Sequence, residues 1–321
     1  MAYKQEPPFA VQVELTEGCN LRCSFCGING IRGKERTYKF MKPHTAEAIA
    51  KQIADARWNP RIEFAMHGEP TMHPDAPGIV AIFRRYLPKV SMLMLSNGGG
   101  LQGSRGLELI DRLFAAGLNT LGLDEYQNVS LVPKIMEAVG SSLKPLGFEV
   151  LRYPDQPEGN PHARQSPRVR RLVHIRPIDV QTTGTHSTLN NHAGSGAPPN
   201  AKGQGKPCAK PFRELSFRWD GTAAICCNDW RGELALGSIH KEGLLGIWHS
   251  KVADEARKRL IIGQRDFGPC EGCDAVSYRV GLLPDKLGSV TLPKPTAKGR
   301  AILDEAAKRN PLTKPVKREW E

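Results

Sequence analysis

The sequence predicts an α/β protein with a parallel sheet and helices packed outside it. Two observations carry this expectation. Short apolar runs alternate with amphipathic stretches of helical period through the first half of the chain. Polar and Gly-rich clusters stand directly after those runs, at strand ends, where both open α/β sheets and barrels place their sites. An open doubly wound sheet and a barrel both fit this pattern.

The elements follow in order. Residues 9–15 (Phe-Ala-Val-Gln-Val-Glu-Leu) form the first strand, and a cysteine-bearing loop follows it. Residues 45–58 form a helix with Ala46, Ile49, Ala50 and Ile53 on one face. Residues 61–66 form a strand that runs into His67-Gly68-Glu69-Pro70, and residues 75–86 form a second helix. Residues 89–95 are an apolar strand ending at Ser96-Asn97-Gly98-Gly99-Gly100. A third helix over 107–117 buries Leu107, Ile110, Leu113 and Phe114. A strand over 120–123 precedes Asp124, Glu125 and Tyr126, a helix covers 130–139, and 148–152 and 172–178 are further strands. Residues 182–207 are rich in Gly, Asn, Ser and Pro, and make a bridging loop that carries His186, Asn190, Asn191 and His192. These polar groups line a pocket if the loop covers the sheet ends, and otherwise sit on a mobile surface.

A smaller unit follows over 208–282, with strands at 212–219 and 222–225 around an Asp220-Gly221 turn and a mostly helical stretch over 244–262. The tail, 283–321, is basic and Pro-rich, with a short helical stretch at 300–308, and is expected to wrap the surface or be partly disordered. The division is therefore a core over 1–181, the bridging loop, the second unit and the tail.

Composition narrows the class. Of the 321 residues, 40% are apolar and 24% charged, ordinary values for a soluble globular protein. No apolar run reaches the length of a membrane span and the N-terminus has no apolar signal core, so the cytoplasm is the expected compartment, with no membrane partner. A reducing compartment suits eight cysteines that serve a metal. The net charge is +12. Part of it lies in Arg164, Arg168, Arg170, Arg171 and Arg176, a stretch without acids, and part in the tail. A basic surface attracts nucleic acid, nucleotides or an acidic electron donor. No RNA-binding or helix-turn-helix pattern accompanies it, so nucleic acid is not the favoured partner.

Cys19, Cys23 and Cys26 are the most informative residues. They stand as C-x3-C-x2-C, with Phe25 before the third. Three thiolates hold three irons of a [4Fe–4S] cube and leave the fourth open, whereas an electron-transfer cluster usually takes four cysteines. A zinc knuckle would need a fourth ligand at close spacing, and the next histidine, His44, is far along the chain. The triplet resembles the signature of the radical S-adenosylmethionine (SAM) superfamily. That resemblance implies a partial (β/α)6 TIM-like barrel. It implies that Cys19, Cys23 and Cys26 ligate a [4Fe–4S] cluster whose open iron binds SAM. It also implies reductive cleavage of SAM to a 5′-deoxyadenosyl radical that abstracts hydrogen from a substrate. Gly68, Glu69 and Pro70 stand where the superfamily has Gly-Gly-Glu-Pro, with His67 in place of the first Gly. Ser96, Asn97 and Gly98 stand where it often has Ser/Thr-Asn-Gly. Both sets are expected to hold SAM. Arg152 is a candidate for the methionine carboxylate or a substrate anion.

The other cysteines are Cys208, Cys226, Cys227, Cys270 and Cys273. The order Cys208, Asp-Gly hairpin, Cys226-Cys227, Trp248, Cys270-x-x-Cys273 resembles the SPASM/twitch extension of radical SAM enzymes, a small α+β auxiliary-cluster domain. The resemblance implies one auxiliary [4Fe–4S] cluster on Cys208, Cys226, Cys270 and Cys273, acting as electron acceptor or relay; a structural zinc is its competitor. Cys227 is left over, as a buried small side chain, the true ligand, or a hydrogen-atom donor. Cys227 and Tyr126 are the candidate catalytic residues. The chemistry expected is dehydrogenation, peptide modification or epimerisation of a sugar, peptide or nucleotide, with SAM and a flavodoxin or ferredoxin reductase as partners. The alternative is a non-catalytic Fe–S or zinc protein that binds nucleic acid through its basic surface.

Overall fold

The computed structural model of the protein describes residues 5–31, 37–126, 131–142, 147–152, 168–174, 190–196, 200–276 and 292–308. Its centre is one mostly parallel sheet. Strands β1 (Ala10–Val13), β4 (Arg61–Phe64), β5 (Met92–Ser96), β6 (Thr120–Leu123), β7 (Glu149–Leu151) and β8 (Arg171–His174) come from the first half of the chain. Strands β9 (Glu214–Phe217), β10 (Thr222–Ala224) and β11 (Ala235–Ser238) come from the second half. The order across the sheet is β11-β10-β9-β1-β4-β5-β6-β8-β7. A two-residue pair, β2 (Thr16–Glu17) with β3 (Lys39–Phe40), flanks the cysteine loop.

Helices α1 (Pro43–Asp55), α2 (Ala76–Tyr86), α3 (Gly103–Ala115) and α4 (Leu131–Gly140) make the parallel crossovers. In α1, Ala46, Ile49, Ala50 and Ile53 are all buried, as their spacing predicts, and Pro43 opens the helix where its missing N–H costs nothing. Asp75 caps α2 by accepting from the Gly78 N–H. Every residue of β4 and β6 is buried, the pattern of central parallel strands covered on both faces. The result is the partial TIM-like barrel, with its site at the carboxyl ends of the strands.

Three features depart from the sequence reading. Strand β8 inserts between β6 and β7. The burial explains it: Leu172, Val173 and His174 are buried, whereas β7 is exposed or half-buried along its length and suits an edge. The second unit does not stand apart, because β9 pairs in parallel with β1 and makes one sheet of both halves. The tail packs more than expected. Helix α8 (Ala297–Lys308) folds back on α7 (Lys251–Ile261) and buries Leu303. Gly299 is pressed so close to the Glu255 carboxylate that a Cβ would stand 2.1 Å from its Cδ. Arg164, Arg176 and His186 lie outside the described residues.

Glu14 locks the junction between the two halves. It follows β1, is 1% exposed, and accepts from the Trp219 N–H at 3.0 Å. His67 Nδ1 stands 3.0 Å from Glu14 Oε1 and Arg218 Nε 4.0 Å from Glu14 Oε2. Burial raises the Glu14 carboxyl, but the Arg218 and His67 charges outweigh it and hold it below the usual carboxylate range. A depressed carboxyl contributes stability that is present above its ordinary value of 4.5 and lost as pH falls through the folded value. Glu14→Gln should therefore cost on the order of 3 kcal/mol at neutral pH by stranding buried charge. In urea titrations its deficit against wild type should narrow as pH falls below 4.5.

Candidate active site and auxiliary cysteine site

The loop after β1 is stitched to the end of β4 at a place where only glycine fits. Gly18 (φ +132°) and Gly68 form an isolated parallel bridge, and the Glu69 N–H donates to Gly18 O at 2.9 Å. A Cβ on Gly68 would lie 1.9 Å from Thr16 O. The backbone just before it is unusual: Met66 has φ +97°, a conformation non-glycine residues avoid and one found most often at functional sites. Beyond the bridge the three thiols line a cavity of about 1170 Å³, counting all space free of protein atoms. Cys19 Sγ accepts from the Leu21 N–H at 3.4 Å and from Asn97 Nδ2 at 3.3 Å. Such donors favour a thiolate.

Glu69 is the hub of the cavity floor. Its Oε1 accepts from the Thr71 N–H at 3.0 Å, Thr71 Oγ1 at 2.6 Å and Ser96 Oγ at 2.6 Å, and its Oε2 accepts from the Asn97 N–H at 2.8 Å. One carboxylate thus ties the ends of β4 and β5 together. Burial raises its pKa in spite of those donors. Pro70 opens the short 3₁₀ turn that Glu69 caps. Gly98 has φ +78° and its N–H donates to Ser96 Oγ at 3.0 Å. Gly68, Glu69, Ser96 and Asn97 all line the cavity.

The outer wall combines distant parts of the chain. Asp124 and Tyr126 come from the end of β6, Asn190 and His192 from the bridging segment, and Trp230 from the second unit. Tyr126 Oη donates to Asp124 Oδ2 at 3.2 Å, and burial pushes the phenol well above its usual value. Glu125 turns away and pairs with His174 at 2.9 Å, both buried. His192 Nδ1 accepts from the Gly27 N–H at 3.0 Å, next to Cys26, which leaves Nε2 as a donor. Burial lowers its pKa to about 4, so the ring is neutral at pH 7. Gly27 has room for no side chain: a Cβ would lie 2.6 Å from the Trp230 ring. His67, in place of the first glycine of the motif, stacks on Trp230 at 4.6 Å and donates from Nε2 to Cys227 O at 3.0 Å.

Two expectations need correction. Arg152 is not at the cavity; its Nη2 donates to Met136 O at 2.7 Å, on the C-terminal part of α4. Cys227 lines neither cysteine site; its Sγ accepts from Lys210 Nζ at 3.3 Å. The thiol is thus held by a buried ammonium, and its own carbonyl accepts from His67 on the cavity wall. Of the residues that sequence reasoning passed over, Trp230 could have been found only through the tertiary contact, because its aromatic signal is ordinary for a core.

Cys208, Cys226, Cys270 and Cys273 line a second, smaller void, walled mainly by Ile225, Leu260, Pro211 and Pro269. Cys208 precedes α5 (Lys210–Arg213), Cys226 follows β10, and the other two lie on a 3₁₀ turn and the loop after it. Burial pushes the Cys226 and Cys270 thiols well up and raises Cys273. Burial disfavours the anionic form of Cys226, Cys270 and Cys273, and a metal's positive charge would offset that cost, so the four-cysteine donor set fits a metal cluster.

A parallel α/β sheet with three thiols at the strand ends and a separate four-thiol site defines a two-cluster enzyme class. Residues 13–125 match the model of the radical SAM superfamily, and residues 208–274 that of the SPASM iron–sulfur cluster-binding domain. The chain belongs to the radical SAM superfamily and carries a C-terminal SPASM domain. It is 21% identical over 271 residues to an S-adenosyl-L-methionine-dependent 2-deoxy-scyllo-inosamine dehydrogenase of Niallia circulans, covering 84% of this chain and 94% of that one. It is 33% identical over 128 residues to a probable GTP 3′,8-cyclase of Pyrococcus abyssi, a match that spans 39% of each chain. Its fold is similar to the crystal structure of BtrN in complex with AdoMet and 2-DOIA, with a TM-score of 0.61 at 19% identity, covering 85% of this chain and 96% of that one. The protein is thus a radical SAM enzyme that uses SAM, a [4Fe–4S] cluster and an auxiliary cluster. Among the described residues, no helix is long and apolar enough to cross a membrane.

The bridge at Gly68 sets a sharp expectation. Gly68→Ala should weaken SAM binding by roughly tenfold or more, a cost of at least about 1.4 kcal/mol, as read by equilibrium binding. The variant should keep its auxiliary iron, because Thr16 O and Gly18 O contact the mutated position and the second site does not.

Proposed function

We propose that the protein is a radical SAM dehydrogenase acting on a small hydroxyl-bearing molecule. Cys19, Cys23 and Cys26 hold the SAM-binding cluster, and Cys208, Cys226, Cys270 and Cys273 hold one auxiliary cluster. The observation that carries this reading is the closed second site: four cysteines around one void leave no open position for substrate, so the site suits electron transfer. The likeness to a relative named as a dehydrogenase of an aminocyclitol supports a small, polar substrate.

When bound, the first cluster and SAM supply a 5′-deoxyadenosyl radical, and the auxiliary cluster supplies a one-electron acceptor. The chain's own residues do the rest. Glu69 and the backbone at Gly68 line the cavity and would receive the methionine ammonium, while Ser96 and Asn97 line it beside them and, with the Gly98 turn behind, would hold the adjoining end of SAM. Asn190, neutral His192 and Tyr126 present polar groups to substrate hydroxyls. Oxidation of a secondary alcohol gives up one hydrogen atom, one electron and one proton. Asp124 is the carboxylate on the cavity wall placed to take the proton from the hydroxyl. Trp230 and Phe25 keep that space dry. The reading places the enzyme in the cytoplasm with a flavodoxin or ferredoxin as reductant.

The test is anaerobic turnover with dithionite and SAM. Wild type should release 5′-deoxyadenosine and, with a polyol or aminocyclitol substrate, a ketone in equal amount. Cys23→Ala should release neither. Asp124→Asn should still form 5′-deoxyadenosine while ketone formation falls by roughly a hundredfold, the usual scale of a lost general base. Intact clusters that never cleave SAM, or 5′-deoxyadenosine with no oxidised product from any hydroxylated substrate, would count against the proposal.

A further inference from the structure

Arg265 is a buried cation without a counter-anion of its own. It is 1% exposed and lies after α7. Its guanidinium donates only to carbonyls: Nε to Lys206 O at 3.0 Å, Nη1 to Ala275 O at 3.0 Å and Cys273 O at 3.4 Å, and Nη2 to Pro207 O at 3.3 Å. Among the described residues no carboxylate lies within ion-pair distance of it. Arginine cannot shed its proton, so this charge cannot be relieved by titration. An uncompensated buried charge is strongly unfavourable. Yet the fold builds a close cradle for it: a Cβ on Gly203 would stand 2.5 Å from Arg265 Nη1.

The same guanidinium lines the four-cysteine void, and so does Lys210, whereas no carboxylate does. Lys210 is partly compensated, with Glu214 Oε2 at 3.0 Å on the side away from the void. The thiols are therefore lined by two cations, one of them without a carboxylate partner, while Asp229 and Asp274 act on Cys270 and Cys273 from outside the lining. The carbonyls that Arg265 holds belong to the segment entering Cys208 and to the segment carrying and leaving Cys273. Its position thus joins both ligand-bearing strands to one fixed charge.

We propose that Arg265, with Lys210 beside it, is the built-in counter-charge of the auxiliary cluster. A [4Fe–4S] cube on four thiolates is a net anion, and it gains one further negative charge on one-electron reduction. A fixed cation against the thiolates compensates that anion and favours the reduced form. The site is then tuned to accept an electron rather than to give one up. Arg265 is a positioning residue in this role, since it touches neither SAM nor substrate. The inference rests on the reading that Cys208, Cys226, Cys270 and Cys273 hold the cluster.

The test is a redox titration of the full-length enzyme, reconstituted anaerobically and followed by electron paramagnetic resonance, with iron and zinc counted per chain. Addition of SAM moves only the signal of the cluster that binds it and so separates the two. Wild type should hold about eight irons. Arg265→Gln should lower the equilibrium constant for reduction of the auxiliary cluster about tenfold, a shift of about 59 mV for a one-electron couple, and leave the first cluster unmoved. Arg265→Lys should stay within about threefold of wild type, a shift of less than about 30 mV on the same constant. Lys210→Met should shift the auxiliary cluster in the same direction as Arg265→Gln, by less. An unchanged potential in an iron-replete Arg265→Gln enzyme overturns the inference. If that variant loses its auxiliary iron with its carbonyl bonds, an unchanged potential in Lys210→Met overturns it instead. Wild type with about four irons, or with zinc, overturns the four-cysteine reading itself, before any question about Arg265 arises.

Discussion

The carboxylate of Glu14 is the constraint on which the rest of this molecule turns. It stands at the end of the strand that is central in the sheet and paired on both sides, by β4 and by β9. Through His67 it fixes the backbone just before the Gly68 bridge, and through Arg218 and the Trp219 N–H it fixes the hairpin that leads to Cys226. Burying the Glu14 carboxylate and the Arg218 guanidinium is expensive, and the cost is met only while the two remain together, with the His67 ring beside them. The two cysteine sites are held in register by this knot together with the β1–β9 pairing and an apolar core that runs through both halves.

The two sites differ in electrostatic design. The first is polar at its floor, where Glu69 spends its acceptors on four protein donors and keeps the strand ends fixed before any ligand arrives. That preorganisation leaves SAM little to rearrange. The second is walled mainly by apolar side chains and faced by cations, and burial raises the Cys226 and Cys270 thiols, which suits a metal that would offset the cost of ionising them. Open and polar on one side, closed and cationic on the other, the pair suits the proposed division of radical generation from electron uptake.

The sequence made the local parts of this arrangement legible. The cysteine triplet, Gly68-Glu69-Pro70 and Ser96-Asn97-Gly98 are short motifs at strand ends, and the roles expected of them come from the family resemblance they carry. The grouping of Cys208, Cys226, Cys270 and Cys273 was legible too, because the Asp220-Gly221 hairpin and the second CxxC keep a recognisable order. What escaped was whatever depends on long-range packing. Arg152 follows a strand in the right place, but β7 lies at the sheet edge and its arginine turns to a helix carbonyl instead. Cys226 and Cys227 are indistinguishable as letters, and only the backbone decides which sulfur faces the void. Arg265 looks like any surface arginine until its four carbonyl partners, brought from separate segments, are seen around it.

The segment Asn191-His192-Ala193-Gly194 has a consequence for how the protein is made. Three successive residues there, His192, Ala193 and Gly194, have positive φ, and the turn is held at both ends: Asn191 Nδ2 donates to Gly272 O, and His192 accepts from Gly27. Trp230 closes the same wall, and β9 completes the far side of β1. On the ribosome, the first cysteine loop is therefore among the earliest parts of the chain to emerge and among the last to be enclosed. Until His192, 165 positions beyond its partner Gly27, has been translated, the loop's thiols stand open to oxidants and stray metals. The delivery of iron and sulfide to Cys19, Cys23 and Cys26 has to be timed to the finished polypeptide or shielded until then, because domains that form early in synthesis usually do so from their own N-terminal contacts, and this one borrows its lid from the other end.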